Sequence, residues 1–394
     1  MRKTVRYSLL TLLGATALAL GMAGCAQQES ADTSTGTSAG EAKPAAAQGA
    51  IKIAIAGPRT GSLAEYGDQV VSGSQMAVDQ INAKGGVLGR QLEAVVYDDA
   101  CDPKQAVAVA NKIVGDKVSF VVGHTCSSST QPASDIYEDE GILMVTSSAT
   151  APEITARGHK LIFRTIGLDN MQGPAAGRYI VDKVKPQNLA VIHDKQQYGE
   201  GIATEVKRTA EEGGLNVVLF EGVNAGDRDF ASLITRLRQA DVDFVYFGGY
   251  HPELGLLMRQ SRERGLEARF MGPEGAGNTE ITAIAGAASE GMLVTLPKSS
   301  DQDPANAELV AAFKERNQDP SGPFVLLSYA AVQVIAEGIE KAGGTDTAKV
   351  AEALRSNAFN TPVGVLEFAE SGDLKDFAFE VYEWHQDGSK TLAP

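Results

Sequence analysis

Short apolar, β-rich runs alternate with helix-period segments through most of this chain, and that alternation constrains the fold more than any other feature. IKIAIA (51–56) runs into Gly57-Pro58, and a helical pattern follows from about Gly67 to Ala83. Next come strand QLEAVVYDD, helix DPKQAVAVANKIVGD, strand VSFVVG, a helix after Thr130 and strand ILMVTSS. Asp102-Pro103 is a good helix start, because Asp caps the free N–H groups and Pro suits the first turn. A second series repeats the rhythm: NLAVIHD, NVVLFEG, DFVYFGGY, RFMG and GMLVT alternate with helical segments. Apolar strands spaced by helices give parallel sheets covered on both faces. The reading is α/β, with two doubly wound, Rossmann-like lobes. Residues 304–357 add two or three helices, and VGVLEF and FAFEVYEW read as sheet edges or returns between lobes. Ligands of such sheets bind outside the carboxyl ends of the strands.

The N-terminus reads as an export signal. Arg2, Lys3 and Arg6 precede an apolar stretch from Leu9 to Leu20, and small residues lead to Cys25. The stretch is too short and too rich in Gly and Ala to span a bilayer well. Met22-Ala23-Gly24-Cys25 resembles the lipobox of bacterial lipoproteins, with Met22 where Leu is usual. This implies a lipoprotein signal peptide over 1–24 and lipidation at Cys25. Residues 25–50 lack an apolar period and read as a flexible tether, with a reach of roughly 25–30 Å. Net charge is −15, and −18 without the signal. That balance excludes the basic footprint of a nucleic-acid binder, and it leaves the lipid as the only expected membrane attachment.

The loops after strands lack enzyme signatures. GPRTGS at 57–62 has no P-loop lysine, GPEGAG at 272–277 has the wrong spacing for a dinucleotide loop, and no GxSxG occurs. The five histidines show no metal-ligand spacing, so neither a metal nor a cofactor is expected. The same loops are rich in small hydroxyl residues, aromatics and acids: Tyr66, Ser127, Ser148, Thr150, Tyr198, Tyr250 and Glu274. A free amino acid needs an anion site and a cation site a few ångströms apart. Serine hydroxyls and helix N-termini suit its carboxylate, a carboxylate such as Glu274 suits its ammonium, and tyrosine rings suit an apolar side chain. Taken singly, Ser127 reads first as a helix cap and Thr150 can cap in the same way, Glu274 reads equally as a solvated turn acid, and the tyrosines can be half-buried loop aromatics.

At these same loops the chain resembles the bacterial leucine/isoleucine/valine-binding proteins, the periplasmic receptors of branched-chain amino acid ABC importers with a type I binding-protein fold. YGDQVVSGSQMAVDQINAKGG, VVYDDACDPKQAVAVANK, GHTCSSSTQPASDIYEDEGILMVT, HDKQQYGEG, DFVYFGGYHPE and FMGPEG carry the likeness, which runs from about Ile51 to Trp384. It implies a cleft between two lobes joined by three crossovers, with 51–168 and 298–376 in lobe 1 and 169–297 and 377–394 in lobe 2. It implies that Ser127 and Thr150 hold the ligand carboxylate, and that the Ser148 carbonyl and Glu274 receive the ammonium. Tyr66, Tyr198, Tyr250 and Phe324 would wall the aliphatic side chain, and Cys101 and Cys126 would form a disulfide beside the pocket.

The resemblance further implies a monomeric receptor, not an enzyme. It would be anchored outside the cytoplasm by lipid, capture Leu, Ile or Val by lobe closure, and dock transiently on a permease with cytoplasmic ATPases. A receptor of the same fold for another small amino acid or an amide is the alternative, and an amidase using Ser127 and His124 is a second one. Two departures bear on specificity. Ser147-Ser148 stands where the family has Pro-Ala, a change the carbonyl role of Ser148 tolerates, and Thr125 stands where it has Leu.

Overall fold

The computed structural model describes residues 49–394. The signal segment, Cys25 and nearly all of the 25–50 tether lie outside the described residues. Five parallel strands form the first sheet: β1 (Ile51–Gly57), β2 (Leu92–Asp98), β3 (Phe120–Gly123), β4 (Leu143–Thr146) and β5 (Ile162–Arg164). Their spatial order is β2-β1-β3-β4-β5. The connecting helices are α1 (Ala64–Ala83), α2 (Pro103–Gly115) and α3 (Ser127–Asp139).

A second sheet is built on the same plan from β6 (Leu189–His193), β7 (Val217–Gly222), β8 (Phe244–Gly248), β9 (Arg269–Gly272) and β10 (Met292–Pro297). Here the helices are α4 (Asp169–Tyr179), α5 (Gln197–Glu212), α6 (Ala231–Gln239), α7 (His251–Glu263) and α8 (Glu280–Ala285). The chain then returns to the first lobe with α9 (Ala307–Glu315), α10 (Val325–Ala342) and α11 (Thr347–Ser356), followed by hairpin β11 (Ala358–Thr361) and β12 (Gly364–Glu367). Finally β13 (Phe379–Trp384) and β14 (Lys390–Leu392) join the second sheet antiparallel, completing the order β14-β13-β10-β9-β8-β6-β7. The path from first sheet to second, back to α9–α11 and again to β13 crosses between lobes three times.

The central strands of each sheet are buried on both faces, which is why they read as near-continuous apolar runs, while the edge strands β2 and β7 are partly exposed. In the first lobe α1 and α10 pack on one face around Ile53, Ile55, Val122 and Ile335, while α2 and α3 cover Ala54, Val121 and Met144 on the other. Asp102 caps α2 as expected, its Oδ1 accepting from the Lys104 and Gln105 N–H groups at 2.9 Å each. Three local expectations change. Helix α3 begins at Ser127, four residues earlier than a helix after Thr130 would. VGVLEF pairs with Ala358–Thr361 in a separate hairpin instead of edging a main sheet. Helix α4 was not anticipated, because Gly173 and Pro174 interrupt its apolar period; both are buried. Among the described residues, no helix is long and apolar enough to cross a membrane.

Candidate ligand-binding site

In each sheet the strand order reverses at one point, between β1 and β3 in the first and between β6 and β8 in the second. At such a point the loops leaving neighbouring strands diverge and open a crevice. Residues 124–127 leave β3, and Tyr198 and Tyr250 follow β6 and β8. Ser127, Tyr198 and Tyr250 therefore sit at the switch points, while Ser148 and Thr150 follow the neighbouring β4 and Glu274 follows β9.

The first-lobe loops offer hydroxyls. Ser127 is the first residue of α3, so its own N–H is one of the helix's unpaired donors. Cys126 occupies the cap position and makes no side-chain cap bond, and Ser127 Oγ instead accepts from Ala151 N–H at 3.3 Å. Capping therefore does not explain Ser127, nor does it explain Thr150. The short 3₁₀ turn Pro152–Ile154 has Ala151 at its cap position, and the buried Thr150 Oγ1 has no hydrogen-bond partner. Ser148 Oγ donates to the Thr125 carbonyl at 3.1 Å and Ser147 shares a 2.7 Å bond with Ser328, so the Ser147-Ser148 departure is absorbed by local hydrogen bonds, whereas the buried Thr125 hydroxyl has no partner.

Across the cleft, Glu274 lies in the turn after β9. It is 1% exposed, which rules out a solvated turn acid. Its Oε2 has no hydrogen-bond partner. Burial pushes the Glu274 carboxyl up to about 7, against the opposing pull of the Gln172 amide and the Tyr198 and Thr150 hydroxyls. Asp169, at the start of α4, was missed from sequence. It is buried with both carboxylate oxygens unpartnered, and burial and then the Glu274 charge hold its carboxyl well above the usual range. The one sequence signal was an acid at a helix start, which is too common to single out.

The aromatics converge on the same place. Tyr66 lies 5.3 Å from Phe324 and 6.4 Å from Tyr250 between ring centres, and Tyr198 lies 5.2 Å from Tyr250. All four are buried in one apolar cluster that draws on both lobes. Tyr66 Oη donates to the Gly275 carbonyl at 2.7 Å, and the Gly275 N–H donates to Tyr198 Oη at 3.0 Å. A Cβ at Gly275 would lie 2.9 Å from the Tyr198 ring, so this close approach needs glycine. Tyr66 thus ties lobe 1 to the residue beside Glu274.

Cys101 and Cys126 are bonded, with Cα atoms 5.5 Å apart. The bridge fixes the residue immediately before Ser127. His124 is wholly buried, with Nδ1 2.6 Å from Asp99 and Nε2 2.8 Å from the Tyr137 hydroxyl. Both ring nitrogens are occupied, so His124 is not available to take a proton from Ser127. Among the described residues no group of three or more His, Cys, Asp or Glu is placed to hold a metal.

Two lobes with polar and aromatic loops gathered near both switch points make up the candidate site. A family model described as periplasmic binding protein matches residues 50–389. The chain belongs to the periplasmic binding protein family. Membership of this family implies a location outside the cytoplasm. This periplasmic binding protein is 67% identical over 353 residues to a leucine-, isoleucine-, valine-, threonine- and alanine-binding protein of Pseudomonas aeruginosa, covering 90% of this chain and 95% of that one. It is 55% identical over 343 residues to a Leu/Ile/Val-binding protein of Escherichia coli K12, covering 87% and 93%. Among solved structures, a branched-chain amino acid transporter substrate-binding protein of Streptococcus pneumoniae in complex with isoleucine superposes with a TM-score of 0.77 at 26% identity, covering 87% of this chain and 99% of that one.

Proposed function

We propose that this protein captures branched-chain aliphatic amino acids, leucine, isoleucine and valine, between its lobes and delivers them to an ABC importer. The observation that carries the reading is the buried Glu274 carboxyl, its Oε2 without a hydrogen-bond partner, close to the unpartnered Thr150 hydroxyl and to Tyr198 of the aromatic cluster. Ser127, with its backbone N–H, and Thr150 hold the ligand carboxylate at the start of α3, where the helix dipole favours an anion. The Ser148 carbonyl, Glu274 and Asp169 receive the ammonium. Tyr66, Tyr198, Tyr250 and Phe324 enclose the side chain and exclude water. An aliphatic side chain gains by apolar burial there, whereas a charged one loses its hydration with no partner.

The ligand favours the closed form only through contacts made by both lobes at once, here Ser127 and Thr150 from one and Glu274 and Tyr198 from the other. The closed form then docks on a permease whose cytoplasmic ATPases drive import. Cys25 anchors the protein to a membrane through lipid, and the protein acts as a monomer. The Pseudomonas relative's name includes threonine and alanine. In this chain Thr125 places an unpartnered, buried hydroxyl beside the Ser148 loop, so the smaller, hydroxylated ligand belongs in any test.

A thermal-shift panel of the twenty amino acids checks the reading. Leucine, isoleucine and valine at about a thousand times their dissociation constants are expected to stabilise the protein by about 4 kcal/mol. A flat response to all three overturns it. Ser127→Ala is expected to weaken leucine by about tenfold, the loss of one hydrogen bond to a charged group. Isothermal titration reads that loss directly.

A further inference from the structure

The Ser148 loop is held from behind by a buried arginine that the ligand reading does not use. Arg164 is the last residue of β5 and is fully buried. Its Nη1 donates to the Ala149 carbonyl at 2.8 Å, and its Nη2 donates to the Ala151 carbonyl at 3.2 Å and to Thr155 Oγ1 at 2.7 Å. Between those two carbonyls, the Thr150 carbonyl accepts from the Asp169 N–H at 3.0 Å. All three carbonyls of residues 149–151 are therefore engaged inside the protein. An anion is repelled by carbonyl oxygens and attracted by N–H and O–H groups. Turning three successive carbonyls inward leaves this loop with donors, including the Thr150 hydroxyl and the Ala151 N–H that orients Ser127 Oγ.

Arg164 is in turn held by Asp373, whose Oδ1 lies 2.7 Å from Nε. Asp373 also accepts from Thr155 Oγ1 at 2.7 Å and from Ser371 Oγ at 2.8 Å. The Arg164 N–H donates to the Gly372 carbonyl at 3.2 Å. Gly372 has φ +89°, and a Cβ there would lie 2.0 Å from the Ile162 carbonyl, so the turn presses against β5 as only glycine allows. Asp373 sits a few residues before the last passage into lobe 2, and Asp169 opens the first helix after the first passage. The Ser148 loop is thus tied to two of the three connections about which the lobes must move.

We propose that Arg164, oriented by Asp373, is a positioning residue that makes residues 149–151, next to the Ser148 carbonyl assigned to the ammonium, a carboxylate receptor by holding their three carbonyls away from the cleft. The inference rests on the reading that this loop holds a ligand carboxylate. Lysine keeps the charge but cannot reach two carbonyls with a planar fork, so Arg164→Lys separates geometry from charge. The experiment titrates leucine and leucinamide, which keeps the ammonium and side chain but lacks the carboxylate, into wild type, Arg164→Lys and Asp373→Asn. Circular dichroism confirms that each variant is folded at the titration temperature.

Arg164→Lys is expected to weaken leucine by about tenfold or more and leucinamide by about threefold or less, narrowing the discrimination between them. Asp373→Asn, which leaves the arginine in place without its ionic orientation, is expected to narrow it in the same direction. Equal weakening of both ligands, or leucine affinity in Arg164→Lys within about twofold of wild type, overturns the proposal. If Arg164→Lys does not fold, unchanged discrimination in Asp373→Asn overturns it alone. Failure of wild type to bind leucine at all overturns the functional reading instead, and is read separately from the variants.

Discussion

Glu274→Gln is expected to cost leucine about a hundredfold or more in affinity and, above pH 7, to make the ligand-free protein more stable. Both effects follow from one buried carboxyl. Burial raises it, and its charge in turn helps hold the neighbouring Asp169 carboxyl above the usual range. A ligand ammonium supplies the missing opposite charge. Breaking a buried ion pair from one side costs about 3–5 kcal/mol, which sets the affinity loss. The pH dependence has a definite sign. With its folded-state value raised to about 7 from an ordinary 4.5, Glu274 contributes stability that is fully present below pH 4.5 and lost as pH rises through 7. At pH 8 the ionised, unpaired carboxylate costs the ligand-free fold on the order of 3 kcal/mol. Glutamine removes that cost.

Calorimetry of the two proteins at pH 5 and pH 8 is expected to show the variant's advantage in melting temperature growing with pH. Leucine binding by the wild type is expected to weaken below pH 7, where Glu274 must first lose its proton, and the variant to lose most of that dependence. Wild-type leucine affinity in Glu274→Gln would remove the basis of the functional assignment.

Removing the Cys101–Cys126 bridge is expected to lower the melting temperature by about 5 °C. The bond closes a loop with a sequence separation of 25, and chain-entropy reasoning assigns such a closure about 3 kcal/mol. The double variant Cys101→Ala/Cys126→Ala, compared with wild type by differential scanning calorimetry, reads this directly. Binding suffers too, because Cys126 precedes Ser127 and anchors the start of α3. Leucine affinity is expected to fall several-fold in the double variant. A melting temperature and affinity both equal to wild type would show that the surrounding packing alone fixes the loop.

The strand and helix rhythm was legible because it is written in local periodicity. Strands buried on both faces must be apolar throughout, and helices covering them must show a stripe. Helix α4 escaped for the same reason: Gly173 and Pro174 break a local signal, while packing against α5 supplies what the local sequence lacks. The start of α3 was misplaced because Ser127, Ser128 and Ser129 are weak helix formers that tertiary contacts hold in place. In the site, the hydroxyls and aromatics were named from loops next to strands, and the resemblance supplied their roles. Asp169 and Arg164 gave no comparable signal. Each matters through burial and through partners distant in sequence, such as Asp373, about two hundred residues beyond Arg164.

The sequence by itself determined the two-lobed α/β architecture, the loops that carry the polar groups, and the family, since local pattern and residue type suffice for these. Only the tertiary structure decided which polar groups are left without partners. Glu274 reads as a turn acid until burial strips it of water, and Ser127 and Thr150 read as caps until the Ala151 N–H takes the Ser127 hydroxyl and the Thr150 hydroxyl is left unpaired. Hydrogen-bond satisfaction and desolvation depend on everything packed around a group, and most of those neighbours are remote along the chain.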